Sequence, residues 1–128
     1  MKILVVDYPN AERASTVRAL AELGYTDVTV ARDAPEALGV LAAGGVELIL
    51  TEYHLRMMTG VVFVQNVRRL APSIPILLVT GQTLATIFDA ALDAGVNDTL
   101  RKPFSPEELG RKIARILGEK SPERSSNQ

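Results

Sequence analysis

Short runs of β-branched and aliphatic residues, separated by segments of helical period, constrain this chain more than any other feature. The runs fall at residues 3–6, 28–31, 48–51 and 76–80, with a weaker one at 98–100. Such short apolar stretches predict strands buried on both faces. The intervening stripes are Ala14, Val17, Leu20 and Ala21; Ala37, Leu38 and Leu41; Phe63, Val64, Val67 and Leu70; and Leu84, Ile87, Phe88, Ala91 and Leu92. Each stripe predicts a helix lying with one face on a sheet. Punctuation agrees. Asn10 suits an N-cap, the stretch Asp33-Ala34-Pro35-Glu36 resembles a capping box, and Gly24 and Gly95 follow the ends of helical patterns. Ser105-Pro106-Glu107-Glu108 opens a fifth helix whose inward positions are Leu109, Ile113, Ile116 and Leu117.

Five strands alternating with five helices through short loops require right-handed crossovers, so the strands are parallel and helices cover both faces. The predicted fold is an α/β doubly wound five-stranded parallel sheet flanked by five helices. In such a sheet the functional crevice lies at the carboxyl ends of the strands, which directs attention to Asp7, Tyr8, Ala31, Glu52, Thr80 and residues 100–102. A length of 128 residues fits one domain, read as residues 1–120 followed by a polar tail or linker start at 121–128. The chain carries no Cys, a net charge of −1 and no apolar run long enough to span a membrane. These features predict a cytoplasmic protein that does not bind nucleic acid directly and does not enter a membrane.

Asp7, Glu52 and Thr80 each stand where a buried run ends, and Lys102 follows the fifth run. Singly, each could be an ordinary turn residue. Jointly, two carboxylates, a hydroxyl and an ammonium suit an oxygen-ligated cation beside a phosphoryl group.

The segments Lys-Ile-Leu-Val-Val-Asp at 2–7, Leu-Ile-Leu-Thr-Glu-Tyr-His-Leu-Arg-Met-Met-Thr-Gly at 48–60, Ile-Leu-Leu-Val-Thr-Gly at 76–81 and Asp-Thr-Leu-Arg-Lys-Pro-Phe at 98–104 carry a family resemblance. Across residues 1–118 the chain resembles the receiver domain of two-component response regulators and hybrid histidine kinases. The resemblance implies a flavodoxin-like sandwich in which an Asp after the third strand accepts a phosphoryl group. It also implies an acidic pair holding Mg²⁺, with Thr and Lys binding the phosphoryl oxygens. Thr80 and Lys102 match those last two positions, and Gly81 is the small residue after the Thr.

The departures are specific. Glu52 occupies the acceptor position, eight residues before Gly60, and its extra methylene displaces the carboxylate by about 1 Å from an in-line geometry that tolerates little error. The acidic pair is reduced to Asp7, either by replacement of the second acid with Tyr8 or by deletion of one acid. Asp7, Glu52 and the backbone carbonyl of His54 are the remaining candidate metal ligands, so Mg²⁺ is expected to bind weakly. Arg56 stands in place of a Pro, and Thr99 takes the position of the aromatic that moves during switching in the family.

The remaining polar residues have plainer readings. His54 reads as a solvated loop residue, Met57 and Met58 as cover for the loop, and Tyr8 equally as a shield or a loop cap. Arg68, Arg69, Arg111, Lys112 and Arg115 read as solvated helix faces, and Leu84, Ile87, Phe88 and Leu92 as core. The functional expectation is a non-enzymatic interaction switch in phosphorelay signalling, with Glu52 paired to Lys102 in a fixed, phosphomimetic-like state. Its partners would be a histidine kinase, a phosphotransfer protein or an output domain, with a possible homodimer through the fourth helix, fifth strand and fifth helix. One alternative is a conventional phosphoacceptor receiver carrying an Asp-to-Glu substitution. A nucleotide- or flavin-binding domain of similar fold ranks lower, because Asp-Tyr-Pro-Asn rather than a glycine-rich loop follows the first strand.

Overall fold

The computed structural model describes residues 1–118. The tail expected at 121–128 lies outside the described residues. The elements follow in strict alternation: β1 (Lys2–Val6), α1 (Ala11–Glu22), β2 (Val28–Ala31), α2 (Ala34–Ala43), β3 (Val46–Thr51), α3 (Gly60–Leu70), β4 (Ile76–Thr80), α4 (Ala85–Ala94), β5 (Asp98–Arg101) and α5 (Pro106–Ile116). All strand pairings are parallel, in the order β2-β1-β3-β4-β5. The chain thus winds outward in both directions from β1 and β3, and the predicted doubly wound sheet is the observed one.

Period-two alternation divides the core between the two faces of the sheet. Leu4, Val6, Ile49, Ile76 and Leu78 face Ala37, Phe63, Val64 and Val67 of α2 and α3. Ile3, Val5, Leu48, Leu50, Leu77 and Val79 face Leu20, Leu109 and Ile113 of α1 and α5. Each fully buried Leu or Ile contributes about 1.5–3 kcal/mol, so the three central strands hold most of the hydrophobic stabilisation. Val30 is exposed because β2 is an edge strand with a partner on one side only.

The helix starts match the predicted caps. Asn10 accepts from the Arg13 N–H at 2.8 Å, and Ser105 and Glu108 form a reciprocal capping box at 2.8 and 3.1 Å. At α2 the box is incomplete. Asp33 accepts from the Glu36 N–H, but Glu36 reaches the N–H of Arg32 rather than that of Asp33. Thr59, unmarked in the sequence reading, caps α3.

Several inward positions differ from expectation. In α1 the buried residues are Thr16, Ala19 and Leu20, while Ala14 and Ala21 are exposed. The apolar pattern misses Thr16 because its hydroxyl donates to the Glu12 carbonyl and can be buried at little cost. Leu70 is exposed in the last turn of α3. Leu84 is the N-cap of α4 rather than part of its stripe, and both it and Leu92 face outward. Arg68 is not a solvated cation. Its guanidinium is bonded to backbone carbonyls, whereas Lys112 and Arg115 pair with Asp98 at 3.1 and 3.5 Å.

Candidate functional site

The residues singled out in sequence are the rungs that continue the sheet beyond its strands. The Asp7 N–H donates to the Ala31 carbonyl at 3.0 Å, the Glu52 N–H to Val6 at 3.0 Å, and the Lys102 N–H to Thr80 at 2.9 Å. Each backbone is thereby fixed, and its side chain leaves from the carboxyl edge of the sheet into a shared crevice. That crevice has a volume of about 360 Å³ and is lined in part by Asp7, Tyr8, Glu12, Glu52, His54 and Thr80.

Lys102 organises the site. Its Nζ lies 2.9 Å from Asp7 Oδ2, 3.0 Å from Glu52 Oε2 and 3.4 Å from Glu12 Oε1. An ammonium has three donors, and here each meets a carboxylate. The Lys102 side chain is only 7% exposed, and those of Asp7 and Glu52 are 8% and 12% exposed. The second oxygen of each buried acid is also occupied: Asp7 Oδ1 accepts from the Tyr8 N–H at 2.8 Å, and Glu52 Oε1 from the Tyr53 N–H at 2.7 Å.

One cation faces three acids, and the titration behaviour follows from that imbalance. Burial raises the Asp7 pKa; the Lys102 hydrogen bond and charge oppose the rise, while the Glu52 charge adds to it. Burial acts to lower the Lys102 pKa, but the hydrogen bonds it donates to Asp7 and Glu52, with their charges, outweigh it, so Lys102 is held above its ordinary value.

Thr80 is fully buried, and its hydroxyl accepts from the Gln82 N–H at 3.2 Å. It lines the crevice but does not join the Lys102 cluster. His54 is exposed, pairs by a backbone bridge with Thr59 and packs its ring edge-on to Tyr53 at 4.9 Å. Thr99 is half-buried on β5, opposite Leu78 of β4.

One contributor escaped the sequence reading. Glu12, in the first turn of α1, brings the third carboxylate, and its position two residues past the Asn10 N-cap was the available signal. Gly60 allows α3 to begin directly beneath the site. A Cβ there would stand 2.6 Å from the Glu52 carbonyl oxygen and 3.0 Å from Tyr53 Cα. Beyond Glu12 and Lys102 lies a larger groove of about 500 Å³ between α1 and the segment entering α5, with Ala19, Phe104 and Pro106 among its walls.

The donor set does not fit Mg²⁺. That ion requires near-octahedral oxygen ligation at about 2.1 Å, whereas one oxygen each of Asp7 and Glu52 is directed at an ammonium and the other at a backbone N–H. Tyr8 follows Asp7 in place of a second acid, and among the described residues no group of three His, Cys, Asp or Glu is placed to hold a metal ion.

With this geometry established, comparison with known proteins is decisive. Residues 3–114 match the family model described as the response regulator receiver domain. The chain belongs to that family. It is 33% identical over 119 residues to the chemotaxis protein CheY of Pseudomonas aeruginosa, covering 91% of this chain and 96% of CheY. It is 34% identical over 123 residues to the response regulator MprA of Mycobacterium avium, covering 96% of this chain and 54% of MprA. The chain thus spans about half the length of MprA. Among solved structures, a CheY-like receiver domain protein of Methanospirillum hungatei superimposes with a TM-score of 0.83 at 30% identity, covering 92% of this chain and 94% of that one. This receiver domain therefore belongs to two-component signalling, and among its described residues no helix is long and apolar enough to cross a membrane.

Proposed function

We propose that this receiver domain is a protein-interaction switch module held in one state by its own side chains rather than cycled by phosphorylation. The observation that carries the reading is the bridge of Lys102 to both Asp7 and Glu52 at 2.9 and 3.0 Å. In this reading Glu52 stands where receivers carry the acceptor Asp and supplies a permanent anion to the Lys that would otherwise meet a phosphoryl oxygen. The module works without Mg²⁺, catalyses no reaction of its own and acts in the cytoplasm. Its partners are a histidine kinase, a phosphotransfer protein or an output domain. The outward-facing Leu84 and Leu92 support the face formed by α4, β5 and α5 as a contact surface, for an output partner or a second copy.

The test is intact mass and a two-dimensional amide spectrum, with and without Mg²⁺ plus a small-molecule phosphodonor, on the parent and on Glu52→Asp. The expected parent shows no phosphoryl adduct and no shifts at Asp7 or Glu52. A labile parent adduct with shifts from Thr80 to Lys102 would overturn the reading. An adduct in Glu52→Asp alone would place the defect at that residue and favour the alternative of a conventional receiver carrying a phosphomimetic substitution.

A further inference from the structure

The groove beside Lys102 has a volume of about 500 Å³, within the range of cavities that take small molecules. It runs between α1 and the segment that joins β5 to α5. Ala19, Pro103, Phe104 and Pro106 give it apolar walls, while Glu12 lines the end next to Lys102 and Glu22 lies on the last turn of α1. Between those two acids the helix rises by about 15 Å, enough for a ring and a short chain.

The donors that could hold an anion there are already in use. Lys102 directs its ammonium to Asp7, Glu52 and Glu12 at 2.9, 3.0 and 3.4 Å. The amino end of α5 is closed by its own capping box, in which Glu108 N–H donates to Ser105 and Ser105 N–H to Glu108. Arg18 is the other cation of the groove, and Glu22, one turn further along the same helix, offsets its charge.

Glu12 stands in a different balance. It belongs to a cluster of three carboxylates, with Asp7 and Glu52, that faces two cations: Lys102, and Arg13, whose Nη1 donates to the Asp7 carbonyl at 3.5 Å. The Glu12 side chain is 64% exposed, and among the described residues only its Oε1 has a partner. The surplus negative charge of the cluster therefore reaches the groove through Glu12 Oε2.

We propose that the groove is a binding site for a small organic monocation, whose ammonium meets Glu12 and whose apolar body lies along Ala19, Phe104 and Pro106. The charge surplus selects the cation and the walls select the body. An exposed ion pair alone is weak, so both parts must act on one ligand. Binding leaves the Lys102 bridge in place, because the ligand takes the carboxylate oxygen that Lys102 does not use.

The test is titration of the whole chain, followed by two-dimensional amide spectra, with phenethylammonium and three matched probes: neutral phenylethyl alcohol, anionic phenylacetate, and methylammonium, which has no apolar body. Phenethylammonium should shift Ser15, Ala19 and Phe104 saturably with a dissociation constant below about 1 mM, and each matched probe should bind at least about fivefold more weakly. Glu12→Gln should erase the preference for the cation over the alcohol while the amides of β1 and β3 stay in place. Ser15→Trp, at an exposed position on the groove, should fill it and abolish the shifts at Phe104. Should Glu12→Gln fail to fold, the selectivity of the parent and Ser15→Trp carry the test. Equal binding of cation and alcohol by the parent, a preference that survives in Glu12→Gln, or Phe104 shifts that persist in Ser15→Trp would overturn the site. So would a lysine-bearing peptide that shifts these amides when phenethylammonium does not, since the groove would then be a protein contact.

Discussion

Replacing Lys102 with Met removes the one cation from a cluster of three acids while keeping most of the apolar stem. Glu12, at 64% exposure, can turn to water, but Asp7 and Glu52, at 8% and 12%, are left buried with only one backbone donor each. Breaking a buried ion pair from one side costs about 3–5 kcal/mol, because the remaining charge stays desolvated. With a urea slope near the middle of the usual range, the unfolding midpoint should fall by about 2 M at neutral pH. The sign of the pH dependence follows from Asp7. Its folded pKa already lies above the ordinary 3.8, and loss of Lys102 raises it further. The folded state therefore binds more protons than the unfolded state between 3.8 and that raised value, so stability rises as pH falls through this window. The deficit of Lys102→Met should thus shrink markedly between neutral pH and about pH 4.5. Urea unfolding of parent and variant at both pH values measures it. A loss under about 1 kcal/mol at neutral pH, or an equal loss at both, would refute the argument that an uncompensated buried carboxylate sets the cost.

Other perturbations test other levels of the structure. Gly60→Ala should destabilise by about 2–3 kcal/mol in thermal or urea unfolding, because the atoms within 3.0 Å of the new Cβ are backbone and cannot yield as a side-chain tip would. Phe63→Ala should cost about 3–5 kcal/mol by the same assays, since Phe63 is fully buried against the sheet. Ser105→Ala should cost about 1 kcal/mol and loosen the first turn of α5, visible as faster amide exchange at Glu108. In the parent, the stabilisation from Lys102 should be intact below pH 10.5 and lost as pH rises through its elevated folded value, which alkaline unfolding curves would reveal.

How much of this was legible in the sequence depends on the range of the interaction that decides it. Strand and helix periodicity is local, so the alternation, the parallel sheet and the placement of Asp7, Glu52, Thr80 and Lys102 at its carboxyl edge followed from residue order alone. Caps are equally local, and Asn10, Asp33 and Ser105 announce three of the five helices. Fine burial was less legible. Leu92 and Leu70 sit in helical stripes yet face outward, because how far a helix overhangs its sheet is set by neighbouring elements.

The Glu52–Lys102 pair, at 3.0 Å, was expected from the sequence, but the other polar partnerships were decided by the tertiary structure alone. The sequence places Lys102 and Glu12 90 positions apart, and nothing in either neighbourhood says that they meet at 3.4 Å. Arg68 looked like half of a basic surface pair, but a carbonyl cage assembled from segments up to 29 positions away turned it inward. The physical reason is common to both cases. Apolar residues signal burial by their own chemistry and spacing, whereas a charged residue is buried only where the fold gathers the partners that offset its desolvation.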